Sequence, residues 1–396
     1  MGFLIKKQKG VIFTGIAKLS VVTLISSLAF AFTDTIWAVY LKDFLVSDSK
    51  VGFFSAFLTL ISFISFFLII PLIERSNKSK LYSSSLLLIA ISFFLFSINK
   101  KFLFFVFLAI FVSVLQTIRI TSFGIIVEDK SSKKRLSRNE GIMYSFTNFA
   151  WVIGPLIAGT ISSFYGINSV FILSSVVLIF SYVFFRKTHI IDNKKSKKID
   201  SNLLKNFKDF FKSKDRLIAY VLGGGVNYWW SLIYLFIPLF IIENGLGIEW
   251  IGYFFFAIAI PTTILPYKFG KLAGRIGFKK MFRIGFFIPF LLALICFFVG
   301  NVYIVLALLI LASVGLAMLE STTEAYFFDI LKGKEDLRFY GPYNTTIDAN
   351  HFVGRAISAV ILLFLPFKFL FLFFSLSMFI FFVISSKTRN IVEMRR

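Results

Sequence analysis

The chain has 396 residues, 58% of them hydrophobic and 16% charged, and carries a formal net charge of +23. Its mean hydropathy is +0.84. Soluble domains are about a quarter charged, so the composition excludes a soluble globular domain. The basic excess does not mark a nucleic-acid surface either, because the charges cluster between long apolar runs.

Apolar runs of about 18 residues or more read as membrane-spanning helices. Twelve occur, at 16–41, 51–73, 81–98, 103–127, 141–164, 167–185, 217–243, 249–269, 281–299, 302–328, 339–364 and 367–385, numbered here as spans 1 to 12. The basic opening MGFLIKKQKG precedes a run too long for a signal-peptide core, and no small-residue cleavage site follows, so it leads into span 1. With the N-terminus inside, the cytoplasmic segments and the cytoplasmic ends of the spans hold 36 of the 43 Lys and Arg. The outer loops and outer span ends hold Lys42, Lys50, Lys100, Lys101 and Lys368, while Arg119 and Arg355 lie deeper within spans. This asymmetry is the positive-inside pattern. It predicts a multi-pass protein of the plasma membrane with both termini cytoplasmic, and it makes most of the basic charge topological.

From the N-terminus, span 1 holds the first anomaly. The stretch AFAFTDTIWAVYL, 29–41, sets Asp34 inside an apolar run, about 12 Å from Lys42 at 1.5 Å per helical residue. The loop after span 2 reads IPLIERSNKSK, 70–80, with Glu74 and Arg75 adjacent. Span 4 carries Arg119, about 15 Å from Asp129 near its end. Span 5 reads GIMYSFTNFAWVIGPLIAG, 141–159, which spaces Gly141, Ala150, Gly154, Pro155, Ala158 and Gly159 along one helix. Small residues allow close helix packing in lipid, and proline bends a helix. The basic segment 187–216 divides the spans six and six, and its part near 203–212 suits an amphipathic helix on the membrane surface.

Span 7 opens on Gly223–Gly225 and continues with Asn227, Tyr228, Trp229, Trp230 and Tyr234. Such aromatics suit amphipathic or cationic organic molecules. Trp229 and Trp230 are adjacent, so one is expected to face inward and the other lipid or the interface. The loop after span 8 reads GKLAGRIGFKKMF, 270–282. The one cysteine, Cys296, lies in span 9, so no disulfide within the chain and no cysteine metal site is expected. Glu320 in span 10 lies about 14 Å from Asp329, with Glu324 nearer the end. In span 11 Asp348, His351 and Arg355 fall at i, i+3 and i+7, hence on one face. That spacing fits a proton relay or a static network that hides charge from lipid. Asp34, Arg119, Glu320 and Asp348 all fall near mid-membrane, where an ionisable side chain is costly and marks function by default. No P-loop and no GxGxxG pattern is present, and the two histidines, His189 and His351, do not make a metal site.

A shift of 200 residues aligns the two halves. VGFF at 51–54 meets IGYF at 251–254; Leu72, Arg75 and Lys80 meet Leu272, Arg275 and Lys280. Asp129 meets Asp329, Gly141 meets Gly341, and Gly154 meets Gly354. The shared register indicates duplication of a six-helix unit about an axis along the membrane normal.

These features resemble the major facilitator superfamily. The loop at 270–282 resembles its signature G-x-L-A-D-R-x-G-R-K: Gly270, Leu272, Ala273, Arg275, Gly277 and Lys279 match, and Gly274 replaces the acid. The copy at 70–80 is degraded: Glu74 stands for the acid, Arg75 for the arginine and Lys78 for the next base, and Ile70 replaces the first glycine. Asn77 stands for the second glycine, where asparagine tolerates a left-handed backbone. Span 5 resembles the family's antiporter motif G-x8-G-x3-G-P-x2-G-G, with Ala150 and Ala158 in place of two glycines.

The resemblance covers the whole chain. It implies an all-α membrane protein with twelve transmembrane helices in two pseudo-symmetric six-helix halves, 1–186 and 217–396, joined by the cytoplasmic basic linker 187–216. It also implies that Glu74 and Arg75 hold a gate with Asp129, with Gly270, Arg275, Gly277 and Asp329 in the matching set. Spans 1, 4, 7 and 10 would surround a cavity, which assigns Asp34, Arg119, Glu320, Asn227, Trp229 and Tyr234 to its wall. Arg119 then needs a partner, and Asp34 and Glu320 are the candidates.

The expectation is therefore a secondary active transporter, not an enzyme, moving a small organic solute by alternating access. The span-5 motif favours proton-coupled export. A proton-coupled symporter for a sugar or organic anion, and a receptor or scaffold without transport, stay open. The implied partners are a small-molecule substrate, a coupling proton and the lipid bilayer. No cofactor, metal or nucleic acid is expected, and one chain with both halves suffices as a monomer.

Overall fold

The computed structural model describes residues 4–7, 10–13, 15–131, 136–190, 203–332, 335–389 and 391. Two short strands, β1 Leu4–Lys7 and β2 Gly10–Phe13, pair antiparallel with Leu4 opposite Phe13 and Lys7 opposite Gly10. Every other element among the described residues is helical.

Eleven helices are long and apolar enough to cross a membrane. They are Gly15–Leu45, Asp48–Ile69, Lys78–Ile98, Phe102–Lys130, Asn139–Tyr165, Ile167–Lys187, Lys214–Glu243, Phe278–Phe298, Val302–Ile330, Arg338–Phe364 and Lys368–Ser385. Span 8 is the pair Glu249–Ile264 and Pro266–Ile276, bent by 44°, which as one span completes twelve. This is the all-α membrane architecture expected. Lipid offers no partner to a backbone N–H or C=O, so each crossing must satisfy itself as a helix. Hydroxyls do the same by bonding back one turn, as Thr35 Oγ1 to Ala31 O at 2.7 Å and Thr322 Oγ1 to Met318 O at 2.6 Å.

Helix starts follow from local chemistry. Asn301 accepts from the N–H groups of Tyr303 and Ile304 and so caps span 10. Gly277, the second glycine of the loop signature, opens span 9 at φ +86°, a backbone that L side chains rarely adopt. Its counterpart Asn77 does not copy it. It sits at φ −76° and accepts from Lys80 N at 2.9 Å, so asparagine replaces glycine there as a helix cap, not as a left-handed residue.

The chain clusters into two compact units. Unit 1 comprises Met1–Tyr40, Leu60–Ile199 and Gly247–Phe256. Its core packs Tyr40 edge to face on Phe171 at 4.6 Å, with Tyr40 OH donating to Phe96 O at 2.9 Å. Unit 2 comprises Leu41–Thr59, Asp200–Leu246 and Ala257–Arg396. There Phe240 and Phe371, 200 residues on from Tyr40 and Phe171, meet edge to face at 5.4 Å.

The offset recurs in the tightest helix contacts. In unit 1 a β carbon on Gly154 would stand 2.5 Å from Ala31 Cβ; in unit 2 one on Gly354 would stand 2.1 Å from Ser231 Oγ. Likewise Gly252 abuts Pro155 and Gly159 in unit 1, and Gly52 abuts Ala359 in unit 2. Four glycines thus hold equivalent seams, and only small residues let helices approach so closely.

A short linker helix, Leu203–Phe211, belongs to unit 2. Its Phe210 is fully buried against Tyr220, Phe327 and Phe339. Arg338 Nε donates to Asn206 Oδ1 at 2.8 Å, and Arg338 also pairs with Asp209. Arg216 caps the helix end by donating to the carbonyls of Asp209 and Phe210. The segment expected to lie on the membrane surface therefore docks on protein, because its apolar face finds aromatic partners at the ends of spans 7, 10 and 11. Asp209 is held below the usual carboxylate range by its bond to Lys212 and then by Arg338.

Candidate functional site

Three polar clusters lie within the spans, one in unit 1 and two in unit 2. In unit 1, Arg119 of span 4 is half-buried, and its Nε donates to Gln116 Oε1 at 2.9 Å. Its guanidinium carbon sits 4.1 Å from the centre of the Phe30 ring of span 1, in cation–π contact. Asp34, one turn along span 1 from Phe30, is exposed, and its charge acts on Arg119 together with Tyr82 of span 3. Of the two candidate partners for Arg119, Asp34 shares its unit and its field. Gln116 is the residue that sequence reasoning missed; its i−3 spacing from Arg119 was the available signal.

In unit 2, Glu320 of span 10 is half-buried and its Oε1 accepts from Trp230 Nε1 at 2.7 Å. Trp230 in turn packs against Tyr234, with ring centres 5.3 Å apart and planes tilted by 34°. Among the described residues no cation pairs with Glu320. Asn227 donates to Gly223 O at 3.2 Å, within its own helix. The expected split of the two tryptophans between interior and lipid does not occur: Trp229 is fully buried and Trp230 is 8% exposed. Trp229 packs edge to face on Phe374 of span 12 at 6.3 Å. Trp230 lies beside Glu320, and both tryptophans are buried because helical rotation points neighbours about 100° apart, not 180°.

Span 11 breaks at Thr345, between helices Glu335–Asn344 and Thr346–Phe364, so Asp348 falls in the first turn of the second piece. The break is held by Thr346 Oγ1, which donates to Tyr220 O at 2.8 Å. Asp348, His351 and Arg355 share a face as expected, and the Arg355 charge acts on both others. Arg355 itself reaches span 2: its Nη1 lies 2.6 Å from Thr59 Oγ1 and 3.4 Å from Ser55 O. Thr59 and Ser55 carried no sequence signal for this.

The side chains of Glu74 and Arg75 lie outside the described residues. Asp129 and Asp329 are half-buried and, with Arg275, make no ion pair among the described residues; Asp329 Oδ2 is buried without a hydrogen bond. Gly141 and Gly270 have open space where a β carbon would go, unlike Gly154 and Gly159. Pro155 lies inside the span-5 helix, and its carbonyl faces Gly252. Among the described residues no group of His, Cys, Asp or Glu could hold a metal ion.

Charged residues within four spans, close small-residue seams and a 200-residue repeat agree with one family model, that of the Major Facilitator Superfamily, which matches residues 19–300. The chain belongs to the Major Facilitator Superfamily. A curated relative, an uncharacterized MFS-type transporter of Methanocaldococcus jannaschii, is 25% identical over 232 residues. That match spans 56% of this chain and 58% of the relative's length. Solved structures share the superfamily fold. A POT family transporter in complex with 5-aminolevulinic acid superposes with a TM-score of 0.75 at 12% identity, covering 93% of this chain and 95% of that one. The nucleoside transporter NupG gives 0.75 at 13%, covering 94% and 99%. A bacterial homolog of the lysosomal transporter Spinster gives 0.70 at 11%, covering 87% and 80%. Family and fold make this Major Facilitator chain a multi-pass membrane protein.

Proposed function

We propose that this chain is a proton-coupled transporter that moves a small organic solute by alternating access and uses Glu320 to take the coupling proton. One observation carries the reading. Glu320 sits mid-span, half-buried, with an indole as its hydrogen-bond donor and no cation pairing with it among the described residues. An ionised carboxylate in that setting is costly unless it is compensated. A proton or a cationic substrate compensates it, and the two exclude each other, which is the logic of exchange. The span-5 motif, with Gly154 and Gly159 at helix seams, supports export as the direction. The basic bias supports cytoplasmic termini in the plasma membrane, and the duplicated halves 1–186 and 217–396, with the linker 187–216, support action as a monomer.

A second reading, proton-coupled symport of an organic anion, is favoured by Arg119. Its Nε and its face are engaged by Gln116 and Phe30, while among the described residues no acceptor meets its terminal amino groups. A guanidinium fork of that kind suits a carboxylate.

Proteoliposomes with an imposed pH gradient test both. Lipophilic cations, sugars and organic anions are added in turn to wild type, Glu320→Gln and Asp34→Asn. Collapse of the gradient by cations in wild type alone supports exchange at Glu320. Collapse by anions, with Glu320→Gln unchanged and Asp34→Asn inactive, moves the proton to Asp34 and the mechanism to symport. No proton movement with any compound refutes proton coupling.

A further inference from the structure

The bond from Trp230 to Glu320 joins span 7 to span 10, and three features fix the donor. Trp229 is locked on one side, fully buried against Phe374. Ser231 is locked on the other, donating to Tyr228 O at 2.6 Å and abutting Gly354. Immediately beyond, residues Leu232–Phe236 form a π-helical turn closed by Ile237 N–H on Leu232 O. An extra residue in a turn resets the helical face by about 100°, and such turns recur at functional sites. Here the wide turn carries Tyr234, which packs in a tilted contact against the Trp230 indole.

From this geometry we infer that Trp230 is the positioning residue of Glu320 and ties span 7 to span 10 in proportion to the charge on that carboxylate. The inference rests on the reading of Glu320 as the proton acceptor. A charge-assisted hydrogen bond is about twice as strong as a neutral one. When the carboxylate takes a proton, or pairs with a cation, the indole is left with a weaker acceptor. The span-7 turn is then less restrained, so occupancy of the acid is read out as helix mobility.

Among the described residues no charged group bonds Glu320. Span 10 packs against spans 7 and 9 and the second piece of span 8. In span 9, Arg283 lies over the Phe382 ring and Cys296 faces Val305 O. In span 8, Lys271 lies over Tyr267. On span 10 itself, the charge of Glu324 acts on Tyr343. Within span 7, Tyr228 bonds Ser377, 3.0 Å away. That leaves Trp230 as the group whose removal changes how Glu320 is held.

The experiment compares transport–pH profiles of wild type, Trp230→Phe and Glu320→Gln in proteoliposomes. Phenylalanine keeps the ring but loses the N–H. The expected result is a profile moved to higher pH by about one unit in Trp230→Phe, since the ionised acid loses a charge-assisted bond, while Glu320→Gln loses its pH dependence. A wild-type profile in Trp230→Phe, with Glu320→Gln still pH-independent, overturns the role of Trp230 and leaves the reading of Glu320 standing. A wild-type profile in Glu320→Gln overturns both. If Trp230→Phe does not fold, indole 15N spectra decide without it. The chain has five tryptophans; one indole signal must titrate in wild type and stay flat in Glu320→Gln, and its failure to titrate overturns the inference.

Discussion

Gly252→Ala tests the seam between spans 5 and 8. The new β carbon would stand 2.4 Å from Pro155 O and 3.2 Å from Gly159 Cα, against 3.4 Å or more in an ordinary contact. The helices must then part by about 1 Å, taking the 2.4 Å approach to normal contact. Backbone lies on both sides, so no side chain can rotate away. Overpacking of this kind costs about 1–3 kcal/mol, and the rigid partners put this case near 3 kcal/mol. At about 1.4 kcal/mol per tenfold, the arrangement seen here loses roughly a hundredfold in population to any state in which spans 5 and 8 separate. Gly141 lies in the same motif with nothing within 4 Å of its β position. Gly141→Ala is therefore neutral or stabilising by up to about 1 kcal/mol, through helix propensity alone. Gly52→Ala, whose nearest contact is Ala359 Cβ at 2.8 Å, falls between them. Apparent melting temperature in detergent ranks the three. Labelling of cysteines placed beside the seam reports the population shift. Equal losses at Gly252 and Gly141, or none at Gly252, would refute the argument.

Two further outcomes follow from the charged hydrogen bonds and ion pairs. Arg355→Ala removes a charged donor from Thr59 and a neighbouring charge from Asp348 and His351; a loss of about 2 kcal/mol is expected, with Thr59→Val costing about 1 kcal/mol. The double mutant should lose less than the sum if the pair is direct, which a double-mutant cycle on thermal unfolding measures. The linker helix should hold at neutral pH and loosen in acid. Asp209 is depressed by Lys212 and Arg338, so its contribution is complete above the ordinary aspartate value, about 4, and is lost as pH falls through the lower folded value. Hydrogen exchange of residues 203–211 checks this; Asp209→Asn should show at neutral pH the exchange that wild type shows only in acid.

The spans were legible in the sequence because lipid leaves an apolar helix no alternative, and the repeat was legible because duplication kept its register. Gly154 and Gly354, matched by offset alone, do occupy equivalent seams. What escaped were features set by rotation about a helix axis. Trp229 and Trp230 are indistinguishable to composition, yet one packs inside unit 2 and the other binds Glu320. The π turn at Leu232–Phe236 has no residue signature, since no glycine or proline lies in LIYLF. The docking of Leu203–Phe211 was hidden for another reason: an amphipathic face reads the same whether lipid or Phe327 and Phe339 will cover it.

That docked helix also moves the seam of the duplicated chain. By hydropathy the second repeat begins with span 7, near residue 217, yet Phe210, Asn206 and Asp209 are already committed to Tyr220, Phe327, Phe339 and Arg338. The second repeat therefore carries an anchor at its front. The described part of the second repeat thus begins at Leu203, ahead of its first span. A chain divided before that residue would keep the anchor with its receptor site. A chain divided after Phe211 would strand Arg338 beside an aromatic hollow with its plug on the other fragment.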